Sequence, residues 1–209
     1  MNNSLIGIFG GAFNPVHNGH FHVAKFALDF VGLEKVLFVP SYISVHKHSD
    51  LSSVKHRLAM LHLALDDVSW ASISLVELER KGLSYTFDTL RSLQDVYQKC
   101  QLKLIIGEDS LRSFTSWHRW ADILDFCSIL VIKRDCKGDL SYSAELSSFF
   151  TSNIDEFRAY SGLIYVADAE KHPASSTIIR DDVASGGMTS FKFLRPKVLD
   201  YIESHGLYK

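Results

Sequence analysis

Apolar residues occur along this chain in short continuous runs that are separated by longer stretches with helical spacing. The runs occupy residues 5–9, 36–39, 102–106, 129–132 and 163–166, and each has the length and composition of a buried parallel strand. Ile73 and Leu75 alternate with serines, which is typical of a half-exposed edge strand. The pattern therefore predicts about five to six strands.

Between the strands, apolar residues recur at intervals typical of amphipathic helices. The first predicted helix spans residues 18–31, with Asn18 as its N-cap and Gly32 as its stop signal. Further helices are predicted around residues 54–65, 86–98, 111–114, 117–124, 176–185 and 196–204. The second is expected to bury a face formed by Val54, Leu58, Leu61 and Leu65. The polar stretch 135–162 has weak periodicity and predicts no definite element.

Alternating strands and helices predict an α/β protein with a Rossmann-like, doubly wound parallel sheet and helices on both faces. The 209 residues are expected to form a single domain. Ligands of such folds bind beyond the carboxyl ends of the strands, near the point where the strand order reverses. Four residues stand at these predicted strand ends: Gly10, Pro40, Gly107 and Lys133.

Composition and charge narrow the range of functions. Lys and Arg number 22 against 24 Asp and Glu, which argues against a general nucleic-acid binder because that function needs a basic excess. No apolar run approaches the ~18–20 residues of a membrane span, and residues 1–4 carry no basic signal-peptide region. The odd number of cysteines, 3, without metal-ligand spacing predicts a reduced, cytoplasmic protein.

The densest chemical signal is the segment 7–20, where glycines precede two histidines. Gly10 and Gly11 allow backbone N–H groups to approach a ligand, and the following helix N-terminus favours anionic oxygens. His17 and His20 can face the same point. A zinc site would need further ligands from distant His46 or His22, and ordinary surface histidines are the other alternative. The segment matches neither the dinucleotide fingerprint nor the Walker A loop.

Three weaker signals lie further along the chain. Ser176 and Thr177 could cap a helix, but Arg180 one turn later makes them a candidate anion cradle. After the strand that ends at Gly107, Trp117 could stack on a planar heterocycle or cover the core, and Trp120 is expected to cover the core. The basic stretch 44–47 could contact phosphate or form a surface loop.

Taken in chain order, these segments resemble the nucleotidyltransferase superfamily with the H-x-G-H signature, and specifically the bacterial nicotinate-nucleotide adenylyltransferases. The matching segments are the Gly-Gly…His17…His20 stretch, His46-Lys47, residues 84–89, Gly107-Glu108-Asp109 with Trp117, residues 176–180 and the ending 198–208. The chain departs from the family pattern at Ala12, where a hydroxyl is common, at Asn14, where Asp is frequent, and at Ser44-Val45, where prolines are usual.

The resemblance implies adenylyl transfer from ATP to nicotinate mononucleotide, giving deamido-NAD and pyrophosphate. It implies catalytic roles for His17, His20 and Arg180. The ATP-binding residues that it implies are Phe9, Gly10, Gly11, Ala12, Phe13, Asn14, His17, His20, Gly107, Asp109, Ser176, Thr177 and Arg180. The mononucleotide-binding residues that it implies are His46, Lys47, Tyr85, Thr86, Trp117, His118 and Arg134.

Magnesium is expected to be held mainly by substrate phosphates, without a dedicated protein metal site. The C-terminal part, about residues 170–209, is expected to close the ATP site, and the protein is expected to be a monomer or homodimer. An enzyme that uses nicotinamide mononucleotide, another H-x-G-H nucleotidyltransferase and a nucleotide sensor without catalysis remain as alternatives. A dehydrogenase would need a glycine pattern that the loop lacks.

Overall fold

A six-stranded parallel sheet forms the centre of the molecule. The computed structural model describes residues 4–43, 52–133, 140 and 142–209. The strands are β1 (Ser4–Gly11), β2 (Lys35–Pro40), β3 (Ala71–Ile73), β4 (Cys100–Gly107), β5 (Cys127–Lys133) and β6 (Ile164–Asp168). Their order across the sheet is β3-β2-β1-β4-β5-β6, and every pair is parallel. The predicted doubly wound α/β fold is confirmed.

The strand order reverses between β1 and β4, because β2 and β3 lie on one side of β1 while β5 and β6 lie beyond β4. Gly11 at the end of β1 is level with Pro40 of β2, and Gly107 of β4 is level with Ile132 of β5. The carboxyl ends of the four central strands therefore form one edge, and the crevice of a doubly wound fold opens at this edge.

Nine α-helices are present in the described part of the chain. They are α1 (Asn18–Val31), α2 (Val54–Leu65), α3 (Val76–Arg80), α4 (Thr86–Val96), α5 (Glu108–Arg112), α6 (Trp120–Phe126), α7 (Ile154–Ala159), α8 (Ser176–Ala184) and α9 (Pro196–Ser204). Short 3-10 helices cover Phe114–Ser116, Ala144–Phe149 and Phe191–Phe193. The helices α3 and α7 were not among the predicted elements.

Helices cover both faces of the sheet and close two hydrophobic cores. One core contains buried residues of α1, α2, α8 and α9, including Ala24, Met60 and Val198. The other contains buried residues of α4 and α6, including Leu90 and Ile123. Within the described residues, no helix combines the length and the apolar character that crossing a membrane requires.

Three local predictions were wrong in part. The predicted edge strand included Leu75, but β3 ends at Ile73 and Leu75 is the N-cap of α3. The N-cap of α1 is His17 and not Asn18, since the His17 side chain accepts a hydrogen bond from the Gly19 N–H. The buried face of α2 consists of Arg57, Met60, Leu61, Ala64 and Leu65, whereas Val54 and Leu58 are half-buried. The apolar pattern missed this face because one of its buried residues, Arg57, is charged. Leu61 and Leu65 are buried as predicted.

The stretch 142–162, which has little periodicity, is attached to the sheet by a buried lysine. Lys103 in β4 is 0% exposed, and its Nζ donates hydrogen bonds to the carbonyl oxygens of Phe157 and Tyr160. Burial lowers the pKa of Lys103 to about 8. Asn153 caps α7 by accepting hydrogen bonds from the N–H groups of Asp155 and Glu156.

Candidate functional site

The first turn of α1 is built from two histidines that cap the helix reciprocally. Nδ1 of His17 accepts a hydrogen bond from the Gly19 N–H at 3.1 Å, and Nδ1 of His20 accepts one from the His17 N–H at 3.2 Å. This is a capping box in which imidazoles replace the usual hydroxyl and carboxylate. The two rings stack with centroids 3.8 Å apart and an interplanar angle of 29°.

These capping bonds determine which ring nitrogen carries the hydrogen. A nitrogen that accepts a hydrogen bond has no hydrogen of its own, so each neutral imidazole carries its hydrogen on Nε2. While the caps are made, His17 and His20 therefore offer their Nε2–H groups as donors. Such donors suit phosphate oxygens, which are strong acceptors.

Glycine at position 19 is required by the closeness of the neighbouring groups. A Cβ at Gly19 would lie 3.0 Å from two atoms of the His17 ring and 3.1 Å from the carbonyl oxygen of Ala174. Neither neighbour can move aside easily, because the His17 ring is fixed by its capping bond and the Ala174 oxygen belongs to the backbone. The third position of the His-x-Gly-His segment is therefore the place where α1 packs directly against the irregular segment between β6 and α8.

A cleft of about 210 Å³ opens at the carboxyl ends of the strands beside these histidines. It is lined by residues from the end of β1, the start of α1, the start of α5, the end of β5, the chain between β6 and α8, and the first turn of α8. Those residues are Phe9, His17, Gly19, His20, His22, Val23, Asp109, Ile132, Ala169, Glu170, His172, Ala174, Ser175, Ser176 and Thr177. The first turns of α1 and α8 thus border one cavity, and two helix N-termini at one cavity favour an anionic ligand.

The start of α8 is attached to the loop that follows β1. Ser176 Oγ donates to the carbonyl oxygen of Pro15 at 3.0 Å, and Arg180 NH1 donates to the carbonyl oxygen of Asn14 at 2.8 Å. The N-cap residue, Ser175, makes no side-chain capping bond, so the hydroxyls do not serve mainly as caps. Arg180 does not line the cleft itself, but its NH2 group lies 3.4 Å from Oγ1 of Thr177, which does.

Two residues that were predicted to bind ATP are buried supports of the loop. Phe13 is 1% exposed, and its ring packs against Phe38 and edge-on against His20 at centroid distances of 5.5 and 5.1 Å. Asn14 is 2% exposed, and its Oδ1 accepts hydrogen bonds from the Tyr208 hydroxyl and the Ser52 N–H. The side chains of both residues are directed into the protein, so they shape the loop rather than line the cleft.

The other predicted ATP-binding positions lie at the same edge of the sheet. Gly10 and Gly11 are the last residues of β1, and Gly10 is exposed with open space where a Cβ would stand. Gly107 ends β4 and is the N-cap of α5, whose second residue, Asp109, lines the cleft. Ala12 follows β1, and its carbonyl oxygen accepts a hydrogen bond from Arg57 NH1 at 2.7 Å.

Some of the residues that were predicted to bind the mononucleotide form a second cluster, between α4 and α6. The rings of Tyr85 and His118 lie 4.6 Å apart, and Thr86 is the first residue of α4. Trp117 is half-buried and packs edge-on against Phe114 at 5.4 Å. Trp120 packs on the same ring at 6.0 Å, as expected of a residue that covers the core. The predicted residues His46, Lys47 and Arg134 lie outside the described residues.

His22 and His172 also line the cleft; the sequence pointed to His22 only as a possible zinc ligand and gave no signal for His172. His22 Nε2 donates to the carbonyl oxygen of Glu170 at 2.8 Å, and its ring lies 5.6 Å from that of His172. Burial, and secondarily the charge of His22, lower the pKa of His172. Among the described residues, no three His, Cys, Asp or Glu side chains lie together in a group that could hold a metal ion.

Comparison with known proteins agrees with this architecture. The family model described as cytidylyltransferase-like matches residues 8–182. The chain is 34% identical over 206 residues to a probable nicotinate-nucleotide adenylyltransferase of Neisseria meningitidis, with 98% of each chain covered. It is 37% identical to the probable enzyme of that name from Pseudoalteromonas atlantica, with 100% of this chain and 98% of the relative covered.

A solved structure has the same fold. It is the Plasmodium falciparum nicotinic acid mononucleotide adenylyltransferase complexed with NaAD, which aligns with a TM-score of 0.73 and 20% identity. The alignment covers 98% of this chain and 97% of that one.

Proposed function

We propose that this chain, which belongs to the cytidylyltransferase-like family, transfers the adenylyl group of ATP to nicotinate mononucleotide. The products would be deamido-NAD and pyrophosphate. Relatives at 34 and 37% identity, aligned over nearly their whole length, are named for this activity. The observation in the structure that carries the proposal is the single cleft bordered by His17 and His20 on one side and by Ser176 and Thr177 on the other.

In the proposed reaction, a phosphate oxygen of the mononucleotide attacks the α-phosphorus of ATP in line, and the bond to the departing pyrophosphate breaks. The attacking phosphate is already ionised at neutral pH, so it needs little help from a general base. The difficulty lies in bringing two anions together and holding them in line. The enzyme's contribution is therefore to position the substrates and to stabilise charge on phosphate oxygens.

We assign His17 and His20 to the ATP phosphates, together with the backbone N–H groups of residues 10–12. Their Nε2–H groups would donate to oxygens whose negative charge grows in the transition state. Ser176, Thr177 and Arg180 are assigned to the departing pyrophosphate. The guanidinium of Arg180 already lies 3.4 Å from Thr177, so pyrophosphate held at the Thr177 hydroxyl would meet a permanent positive charge nearby.

Magnesium enters this proposal as part of the MgATP substrate. The ion prefers phosphate oxygens, water and one or two carboxylates, and Asp109 supplies one carboxylate at the cleft. When bound, the ion would neutralise phosphate charge and make pyrophosphate a better leaving group.

The nicotinate mononucleotide is assigned to the cluster between α4 and α6. The pyridine ring would be surrounded by Tyr85, Thr86, Trp117 and His118. The phosphate of the mononucleotide would be contacted by His46, Lys47 and Arg134. Because Thr86 is the first residue of α4, its N–H group has no acceptor within the helix. A backbone N–H there would donate a hydrogen bond to a carboxylate oxygen, whereas the NH₂ of a carboxamide is itself a donor and would make a poor partner.

The C-terminal part of the chain is proposed to close the ATP site. Three hydrogen bonds support this role: Ser176 to Pro15, Arg180 to Asn14, and Tyr208 to Asn14. All three fasten this part to the loop that follows β1.

Initial rates of pyrophosphate release test the proposal, with ATP and either nicotinate or nicotinamide mononucleotide, in the presence and absence of Mg²⁺. The expected result is Mg²⁺-dependent release that is faster with nicotinate mononucleotide. A faster rate with nicotinamide mononucleotide would indicate the sister activity. No release with either acceptor, in a protein that still binds ATP, would indicate a nucleotide sensor.

A further inference from the structure

A buried arginine joins the two halves of the site. Arg57 in α2 is 1% exposed, and each of its three guanidinium nitrogens donates to a backbone carbonyl. NH1 donates to Ala12 at 2.7 Å, NH2 donates to Ser41 at 2.7 Å, and Nε donates to Ser52 at 3.2 Å. In the described residues no ion pair includes Arg57, so its partners are carbonyl dipoles.

The carbonyls belong to different parts of the site. Ala12 lies in the loop after β1, which carries the proposed ATP contacts, whereas Ser41 directly follows β2. The chain after β2 is joined in turn to the start of α4, because the N–H of Tyr42 donates to Ser84 Oγ at 2.9 Å and the N–H of Ser84 donates to the carbonyl of Ile43 at 3.0 Å. A continuous set of hydrogen bonds therefore runs from Ala12 through Arg57 to the segment that contains Tyr85.

A second buried group fixes the far end of this path. Glu77 of α3 accepts a hydrogen bond from the Thr89 hydroxyl at 2.7 Å, and Ser84 also bonds to the Glu77 side chain. Glu77 thereby holds both the residue before Tyr85 and the first turn of α4. The path therefore runs from the Ala12 carbonyl in the loop after β1 to a buried carboxylate that is hydrogen-bonded at the start of α4.

We propose that Arg57 is a positioning residue that sets the spacing between the loop holding the ATP phosphates and the chain that carries the acceptor mononucleotide. The proposal rests on the proposed function, because it concerns the alignment of those two substrates. Neither substrate needs to touch Arg57. Arg57 would contribute by keeping the two separately bound anions in line. In such a geometry, a misplacement of about 1 Å reduces the rate by about 10²-fold.

Two substitutions separate this role from a purely structural one. Arg57→Gln removes the fork of donors. Arg57→Lys keeps the charge but offers a single nitrogen, which cannot reproduce the separated bonds of NH1 and NH2. The matched control is Lys103→Met, which removes another buried cation that binds backbone carbonyls, in this case those of Phe157 and Tyr160 near the C-terminal end of α1, away from its first turn.

The experiment measures the melting temperature of each variant and then kcat and both KM values, at a temperature where the variants are folded by circular dichroism. For both Arg57 variants we expect kcat to fall at least ~10-fold while each KM changes less than ~3-fold, since binding at either half is retained and alignment is lost. Lys103→Met should lower the melting temperature while leaving kcat within ~2-fold of wild type.

The outcomes separate this inference from the proposed function. If wild-type protein releases no pyrophosphate, the proposed function fails. If wild type is active and folded Arg57→Lys has a kcat within ~2-fold of wild type, the positioning role is overturned. It is overturned equally if neither Arg57 variant folds, because Arg57 would then be a folding residue, or if only one KM rises and kcat is unchanged.

Discussion

The phenolic hydroxyl of Tyr208 donates a hydrogen bond of 2.8 Å to Oδ1 of Asn14, joining residues that are 194 positions apart. The backbone carbonyl of the same Asn14 accepts a bond from Arg180. The loop that precedes the histidines is therefore shaped by residues of α8 and by residues beyond α9. Burial raises the pKa of Tyr208 to about 12, so the hydroxyl remains a donor across the neutral range.

Replacing Tyr208 with Phe should destabilise the protein by about 1 kcal/mol, because Asn14 Oδ1 loses its shorter hydrogen bond but keeps that of Ser52. Urea unfolding measures the change. The matched control is Tyr160→Phe, since Tyr160 is exposed, and its effect should stay within about 0.5 kcal/mol. Equal effects of the two substitutions would show that the contact with Asn14 contributes nothing.

His17 has a structural role as a helix cap and a proposed chemical role as a donor to phosphate, and different substitutions can separate the two. His17→Ala removes both the cap and the Nε2–H donor, and should cost about 1 kcal/mol of stability as well as activity. His17→Asn restores a good N-cap without that donor, so stability should stay near wild type while turnover falls at least ~10²-fold. Pyrophosphate release and thermal unfolding measure the two effects. Normal turnover in the Asn variant would reject the chemical role.

Trp117 and Trp120 pack on the same ring, Phe114, and this makes them a matched pair. Replacing either with Ala should destabilise the protein by about 3 kcal/mol. Trp117→Ala should in addition raise the KM for nicotinate mononucleotide about 10-fold or more, because a stacking surface is lost. Steady-state kinetics at saturating ATP measures this. Equal KM values in the two variants, or an effect on ATP alone, would place the pyridine elsewhere.

The buried Lys103 predicts a specific pH dependence of stability. Its pKa is about 8 in the folded protein against 10.5 for an ordinary lysine, so between these values the unfolded chain binds a proton that the folded chain does not. The free energy of unfolding of wild type, relative to Lys103→Met, should therefore rise by roughly 1–3 kcal/mol as the pH increases through this window. Urea unfolding at successive pH values measures the difference. A constant difference would contradict the lowered pKa.

The central sheet could be predicted from the sequence because buried parallel strands are apolar on both faces and appear as unbroken runs. The helices α3 and α7 could not be predicted, because each is short and has only one buried residue, which is too few to form a periodic pattern. That residue is Glu77 in α3 and Phe157 in α7. The cap Asn153 followed by two acidic residues was the available signal for α7.

The residues of the candidate site were likewise predictable only in part. His17, His20, Ser176 and Thr177 were identifiable because their chemistry is carried by local motifs, and the structure places all four at one cleft. Arg57 was not, since its role depends on the carbonyls of residues 12, 41 and 52, which only the fold brings together. Asn14 was assigned to a ligand by its place in a motif, whereas its side chain is used inside the protein.

The central claim is that the early histidines and the late arginine act on one triphosphate. A crystal structure of the protein with a non-hydrolysable ATP analogue and Mg²⁺ tests it most directly. We expect phosphate oxygens of a single analogue within hydrogen-bond distance of Nε2 of His17 or His20 and of the Arg180 guanidinium. A triphosphate that contacts the histidines while Arg180 reaches no phosphate oxygen, and keeps only its bond to the Asn14 carbonyl, would contradict it.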